Sequence, residues 1–168
     1  GEKIDWNKIF DIKQERIERQ KKHTIQECQG CYYLREKEES NDKFISEIAF
    51  QQIKLCNAKC VYCGDDFRYH KNYYDVYPVI KDLTDKGYFK RTDFGLVIFQ
   101  GGEPTIMKHF DDLTSIFIEQ NANIKVNTSA IRYSDVLAKG MRTGNILTCI
   151  SLDSGCRETY NKIKYVDK

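Results

Sequence analysis

Trp6, Ile9, Phe10 and Ile17 recur at helical spacing through a charged stretch from Asp5 to about Lys22, with Lys13 and Gln20 on the same line. That spacing predicts a helix carrying a narrow apolar stripe. A polar segment follows, and the pattern then turns to the apolar-rich alternation of Phe44 to Leu55, which predicts a strand. Pro78 near the start and Gly87 at the end bracket a helix reaching to about Lys86. Phe94 to Phe99 is a short continuous apolar run, the pattern of a buried parallel strand. Beyond it the patterns alternate: a helix over Met107 to Gln120, a strand over Asn123 to Ser129, a helix over Ser134 to Gly144 with Ser134 as its N-cap, and a strand over Leu147 to Asp153.

Strands that alternate with helices in this way predict an α/β fold: a parallel sheet, open or curled toward a barrel, whose functional face is the C-terminal edge of its strands. The first helix stands outside that rhythm. A boundary is expected near Asn41, leaving residues 1–43 as a charged helical arm and residues 44–168 as the core.

Composition narrows the partners. With 27 basic and 25 acidic residues the net charge is +2, which gives no reason to expect nucleic acid. No apolar run approaches the roughly 20 residues that span a bilayer, and the opening residues lack a signal-peptide pattern, so the expectation is a cytoplasmic protein without a membrane partner. In that compartment the seven cysteines are read as metal-binding or catalytic and not as a disulfide framework.

Three of them crowd one loop. Cys56, Cys60 and Cys63 lie in "LCNAKCVYCGDD", at the mouth of the first predicted strand. Buried thiols often act as small hydrophobes, but these stand among Asn57, Lys59, Asp65 and Asp66, a polar setting that argues for a shared ligand. Structural zinc sites and ferredoxin-type clusters take four protein ligands, so three thiolates leave one metal position open. His70 is the nearest candidate for a fourth ligand, although a lone His in this position is more often an ordinary surface residue. A second pair, Cys28 and Cys31, forms a CxxC in the arm and is a candidate half-site for an auxiliary metal. Cys149 reads as a core residue of the last strand, and Cys156 as a thiol at a helix start.

Two further strand ends carry unusual residues: Gly101-Gly102-Glu103-Pro104 after the second strand and Ser151-Leu152-Asp153 at the fourth. Taken with Cys56-x3-Cys60-x-Tyr62-Cys63, they resemble the CxxxCxφC, GGEP and Ser-Leu-Asp features of the radical S-adenosylmethionine (SAM) superfamily, over about Ile45 to Lys164.

The resemblance implies a partial (β/α) barrel, of which about four βα units are present, and a radical SAM enzyme. Cys56, Cys60 and Cys63 would ligate three irons of a [4Fe–4S] cluster, with SAM on the fourth. Tyr62 would face the adenine. Backbone groups of Gly101 and Gly102, with the Glu103 region, would meet the SAM ammonium. Ser151 and Asp153, two apart on a strand and so on one face, would meet the ribose and the methionyl carboxylate. Where many relatives carry Thr-Asn-Gly, this chain has Thr128-Ser129-Ala130, so Ser129 is a weaker cofactor-binding candidate.

The implied chemistry is one-electron cleavage of SAM to a 5′-deoxyadenosyl radical that abstracts hydrogen from a substrate, with a flavodoxin or ferredoxin as the electron donor. No residue is singled out as an acid or base catalyst. The substrate is unknown, with a peptide or protein as the candidate by analogy. Two alternatives remain: a non-catalytic iron-sulfur or zinc module, and an interaction protein that keeps the scaffold alone. The chain is expected to be the front of a longer barrel, with its fourth strand as an open edge.

Overall fold

The computed structural model describes residues 4–22, 26, 43–53, 55–64, 74–93 and 95–164. The chain divides into two compact units, Gly1–Lys43 and Phe44–Lys168. Within the first, helix α1 (Trp6–Lys21) is capped by Asp5, whose carboxylate accepts the Lys8 amide at 3.1 Å, and it buries Trp6 and Phe10 of the anticipated stripe. Cys28 and Cys31, like His70, lie outside the described residues.

The second unit is built on a four-stranded sheet: β1 (Ile48–Ile53), β2 (Val97–Gly101), β3 (Ile124–Thr128) and β4 (Ile146–Ile150). Neighbours in the sheet follow chain order and every pairing is parallel. Parallel neighbours need crossovers, and helices α2 (Tyr77–Asp85), α3 (Phe110–Glu119) and α4 (Asp135–Thr143) supply them, with α5 (Arg157–Lys164) following β4. This is an α/β partial barrel: a curled βα series whose sheet has not closed.

Local chemistry explains the boundaries. Pro78 occupies the first turn of α2, and Gly87 follows its end in the left-handed region. Ser134 caps α4, its hydroxyl accepting the Leu137 amide at 3.2 Å while donating to Asp111 on α3 at 2.7 Å. The strands are shorter than the sequence pattern implies. Ser151 to Asp153 in particular lie beyond β4, because the Leu152 amide bonds back to the Ile150 carbonyl at 3.1 Å and turns the chain.

One face of the sheet holds the core. Phe50, Val97, Phe99, Ile124, Val126 and Ile146 are buried on it, opposite Leu83, Phe110, Leu113, Phe117 and Leu137 of the helices. Phe99 is the hub: its ring stacks on Phe50 at 4.6 Å and meets Phe110 edge-on at 5.2 Å. The opposite face is more polar, with Gln51, Gln100, Asn127 and Cys149 on it, Asn127 paired with Cys149 across β3 and β4 and bonded to Gln100. Cys149 is therefore exposed, which corrects its reading as core: it and Leu147, 64% exposed, point away from the helices on a strand that pairs only with β3 among the described residues.

Gly140 inside α4 carries a specific packing demand. A Cβ there would stand 2.3 Å from Cδ1 and 2.6 Å from Cγ1 of the buried Ile146. Alanine would gain about 1 kcal/mol of helix propensity but cost about 1–3 kcal/mol in overpacking. Gly140→Ala is expected to lower stability by about 1 kcal/mol net in urea unfolding, and an unchanged or raised midpoint would contradict this packing account.

Candidate functional site

The C-terminal ends of the strands converge on one cavity of about 490 Å³, within the range of about 300–1,000 Å³ usual for small-molecule sites. Its wall includes Cys56, Cys60, Tyr62 and Cys63 from the loop after β1, Gly101 to Glu103 from the loop after β2, Thr128 and Ser129 from the end of β3, and Ser151 just past β4. All three predicted thiol ligands thus share a wall with most of the other predicted site residues.

Glu103 organises the mouth of this cavity. Its side chain is 1% exposed. Oε1 accepts from the Thr105 amide at 3.2 Å, the Thr105 hydroxyl at 2.6 Å and the Thr128 hydroxyl at 2.6 Å. Oε2 accepts from the Ser129 amide at 2.7 Å and the Ser129 hydroxyl at 2.6 Å. Its own amide donates to Leu55 O at 2.7 Å, immediately before Cys56. One residue therefore ties together the chain ends of β1, β2 and β3. Burial alone would push its pKa up, but the Ser129, Thr105 and Thr128 bonds outweigh burial and hold it below the ordinary 4.5.

Around this anchor the backbone is specialised. Gly101 has φ of 112°, a conformation that L side chains rarely adopt, at the point where β2 opens into the cavity. Ala130, in the place of the expected glycine, has φ of 56°, and its amide is held by the Thr128 hydroxyl at 3.0 Å. Ser129 spends both its amide and its hydroxyl proton on Glu103.

The cysteine loop is half-buried. Burial pushes the Cys56 thiol pKa up, opposed by the Ala58 amide at 3.5 Å and assisted by the nearby Glu103 carboxylate. Among the described residues no three His, Cys, Asp or Glu side chains gather around a single metal-ion position. Three thiols spread along one wall suit a multi-iron cluster, in which each cysteine binds a different iron. On donor chemistry the residues present fit a [4Fe–4S] cluster with one iron left for a further ligand.

Asp153 is placed differently from the sequence expectation. Past the turn at Leu152 it reaches Tyr62, whose hydroxyl donates to Oδ2 at 3.0 Å, and Lys164, whose Nζ stands 2.6 Å from the same oxygen. It shares no strand face with Ser151, because neither residue lies in β4. Cys156 is exposed at the start of α5, its thiol pKa drawn down by the amides of Thr159 and Glu158.

The sequence reading passed over Lys164 and the two threonines. Of the threonines only Thr105 carried a signal, since a Glu followed two residues later by Thr at a Pro-started turn is a local cap; Thr128 meets Glu103 across 25 residues of chain. Lys164 carried none, since a lysine in the last turn of a charged helix normally reads as solvated.

A family model described as the Radical SAM superfamily matches residues 52–167. A GTP 3′,8-cyclase of Clostridium botulinum is 31% identical over 134 residues, covering 73% of this chain and 40% of that protein. An Fe-coproporphyrin III synthase of Methanosarcina barkeri is 26% identical over 123 residues, covering 70% of this chain and 29% of that protein. The chain therefore spans well under half the length of these relatives. Among solved structures, Streptococcus suis SuiB bound to its precursor peptide SuiA superposes with a TM-score of 0.56 at 16% identity, over 89% of this chain and 39% of that one. SuiB bound to S-adenosylmethionine gives a TM-score of 0.54 at 20% identity, over 74% of this chain and 29% of that one. The fold is shared with both.

Glu103→Gln replaces a saturated carboxylate by an amide that cannot accept all five donors. It is expected to cost about 3 kcal/mol at neutral pH, on the scale of hydrogen bonds to charged groups. A folded pKa held below 4.5 means that the carboxylate's contribution is complete above 4.5 and is lost as pH falls through the lower folded value. The stability gap between wild type and variant should accordingly narrow in acid. Equal denaturation midpoints at pH 7 would contradict the anchoring role.

Proposed function

The chain belongs to the radical SAM superfamily, and on that premise we propose that it holds a [4Fe–4S] cluster and cleaves SAM reductively to abstract hydrogen from a peptide or protein substrate. Membership of the family implies SAM-cleavage chemistry with an iron-sulfur cluster. The observation that carries the specific reading is the shared cavity wall: three thiols, the Gly101-Gly102 backbone and Ser151 around one space.

Cys56, Cys60 and Cys63 would hold the cluster, which when bound supplies the electron that breaks the sulfur to C5′ bond of SAM, releasing methionine and a 5′-deoxyadenosyl radical. The remaining work belongs to the protein's own groups. Gly101 and Gly102 let peptide groups approach a ligand without a Cβ between them, which suits the ammonium of SAM. Tyr62 offers an aromatic face beside the cysteines for the adenine. Ser151 offers a hydroxyl to the same cavity. Ser129 and Glu103 hold the β2 and β3 ends together at the cavity, Glu103 having little acceptor capacity left for a ligand. Asp153 serves the adenosine side through Tyr62.

The peptide reading is supported by SuiB, which was captured with its precursor peptide, and by the neutral amides of Gln51, Gln100 and Asn127 lining the cavity. Asn127 Nδ2 donates to Gln100 Oε1 at 3.2 Å, so the pair keeps donors and acceptors available to an amide backbone. The electron would come from a small donor protein of the flavodoxin or ferredoxin kind.

Anaerobic reconstitution with iron and sulfide, followed by a dithionite-driven assay, is expected to yield 5′-deoxyadenosine. A cluster that forms without SAM cleavage would instead favour the non-catalytic iron-sulfur module. Each of Cys56→Ala, Cys60→Ala and Cys63→Ala should abolish the four-iron chromophore, because no thiolate is redundant; a single variant retaining all four irons would remove the assignment. Gly102→Val should retain its iron yet bind SAM about tenfold more weakly, equivalent to about 1.4 kcal/mol. Unchanged affinity would take the glycine pair out of the site.

A further inference from the structure

Lys164 is the last residue of α5, and its side chain is 2% exposed. A buried ammonium costs several kcal/mol unless it is paired and hydrogen-bonded, so its position there calls for a reason. Its Nζ lies 2.6 Å from Asp153 Oδ2 and 3.0 Å from the Tyr62 hydroxyl, and that hydroxyl donates to the same Asp153 oxygen at 3.0 Å. The three groups close a triangle. The ammonium also stands 5.5 Å from the centre of the Tyr62 ring, within cation–π reach.

The backbone of the same helix end makes a second attachment. The Lys164 carbonyl accepts the Lys59 amide at 2.7 Å, and the Ile163 carbonyl accepts the Val61 amide at 2.9 Å. Terminal carbonyls of a helix have no partner within it, so the cysteine loop satisfies two of them while gaining a fixed edge for its own segment between Cys56 and Cys63. Tyr62 needs such support: it is 60% exposed, and an exposed ring on a loop has no packing of its own to hold it. Lys164 itself lines the cavity beside the thiols.

We propose that Lys164 is a positioning residue for the adenosine side of the site: its ammonium orients Tyr62 and Asp153 while the end of α5 clamps the backbone of the cysteine loop. The proposal rests on the functional reading above, because it is SAM that the oriented tyrosine would meet. The clamp itself is a property of the chain without any cofactor. Asp153 is the counter-charge that keeps the buried ammonium tolerable, so the conformation of the Ser151 to Asp153 turn and that of the cysteine loop are coupled through one side chain.

The test compares wild type with Lys164→Met, Lys164→Arg and Tyr62→Phe. In the cofactor-free chain, hydrogen exchange at the Lys59 and Val61 amides should be at least several-fold faster in Lys164→Met, and equal exchange would overturn the ammonium's part in holding the clamp whether or not the protein proves to bind SAM. In the reconstituted chain, at matched iron content, Lys164→Met should raise the Kd for SAM about tenfold, and Lys164→Arg, which can still bridge Asp153 and Tyr62, should recover most of that loss. Undiminished SAM affinity in Lys164→Met would overturn the positioning role. If Lys164→Met fails to retain iron, Tyr62→Phe decides: removing the one hydroxyl should weaken SAM binding with iron intact, and unchanged affinity would overturn the proposal. Wild-type protein that holds iron but does not bind SAM would refute the functional reading, leaving the clamp to the exchange result.

Discussion

A carboxylate buried to 1% exposure survives only where its acceptor capacity is filled, and Glu103 meets that condition with donors from both sides of the cavity mouth. Two hydroxyls and an amide on the β3 side and the Thr105 groups on the β2 side converge on two oxygens, while the Glu103 amide reaches back to the end of β1. Loops at strand ends are ordinarily the loosest parts of an α/β fold. Here three of them are bound to one residue, two through its carboxylate and one through its amide, and the cavity owes its shape to that bond set. The cost is specific: any change that removes the charge or one of its donors leaves buried polar groups unpaired.

The two faces of the sheet divide the labour. The helix side is an aromatic and aliphatic core centred on Phe99, which fixes the strands in register and asks nothing of the ligand chemistry. The other side keeps the carboxamides of Gln51, Gln100 and Asn127 and the Cys149 thiol along the strands, an arrangement that a water-filled or ligand-filled space can satisfy and a packed core cannot. Lys164 is the counterpart of Glu103 beside the thiols: a buried charge of opposite sign that fastens α5 to the cysteine loop. Burial alone would push its pKa down, but Asp153 and the Tyr62 oxygen hold the ammonium above the ordinary lysine range.

Much of this was legible in the chain. The alternation of patterns located all four strands, Ser134 announced the cap of α4, and the spacing of Cys56, Cys60 and Cys63 with Gly101-Gly102-Glu103 pointed to the family that the profile match then established. What was misread shares one cause, that period-two patterns say nothing about where pairing stops. Asp153 continues the alternation of β4 but lies beyond a backbone turn, and Cys149 alternates correctly yet is exposed, because its face is the one away from the helices and its strand has one neighbour among the described residues to cover it. Ala130 shows the converse. The sequence departs from a glycine there, but φ of 56° shows that the backbone keeps the glycine-like conformation, held by Thr128. Lys164 was invisible because its value lies in contacts 102 residues away along the chain, with Tyr62.

The family sets the class of chemistry, and the residues at the strand ends set how this chain would carry it out; the central claim is that three thiolates at one wall leave one iron of a cluster for SAM. Mössbauer spectroscopy of the iron-loaded chain, with and without SAM, tests that claim most directly. The account predicts that SAM shifts the signal of one iron in four toward higher coordination and leaves the three cysteine-bound irons unchanged. Four irons that respond identically, or not at all, to saturating SAM would contradict it.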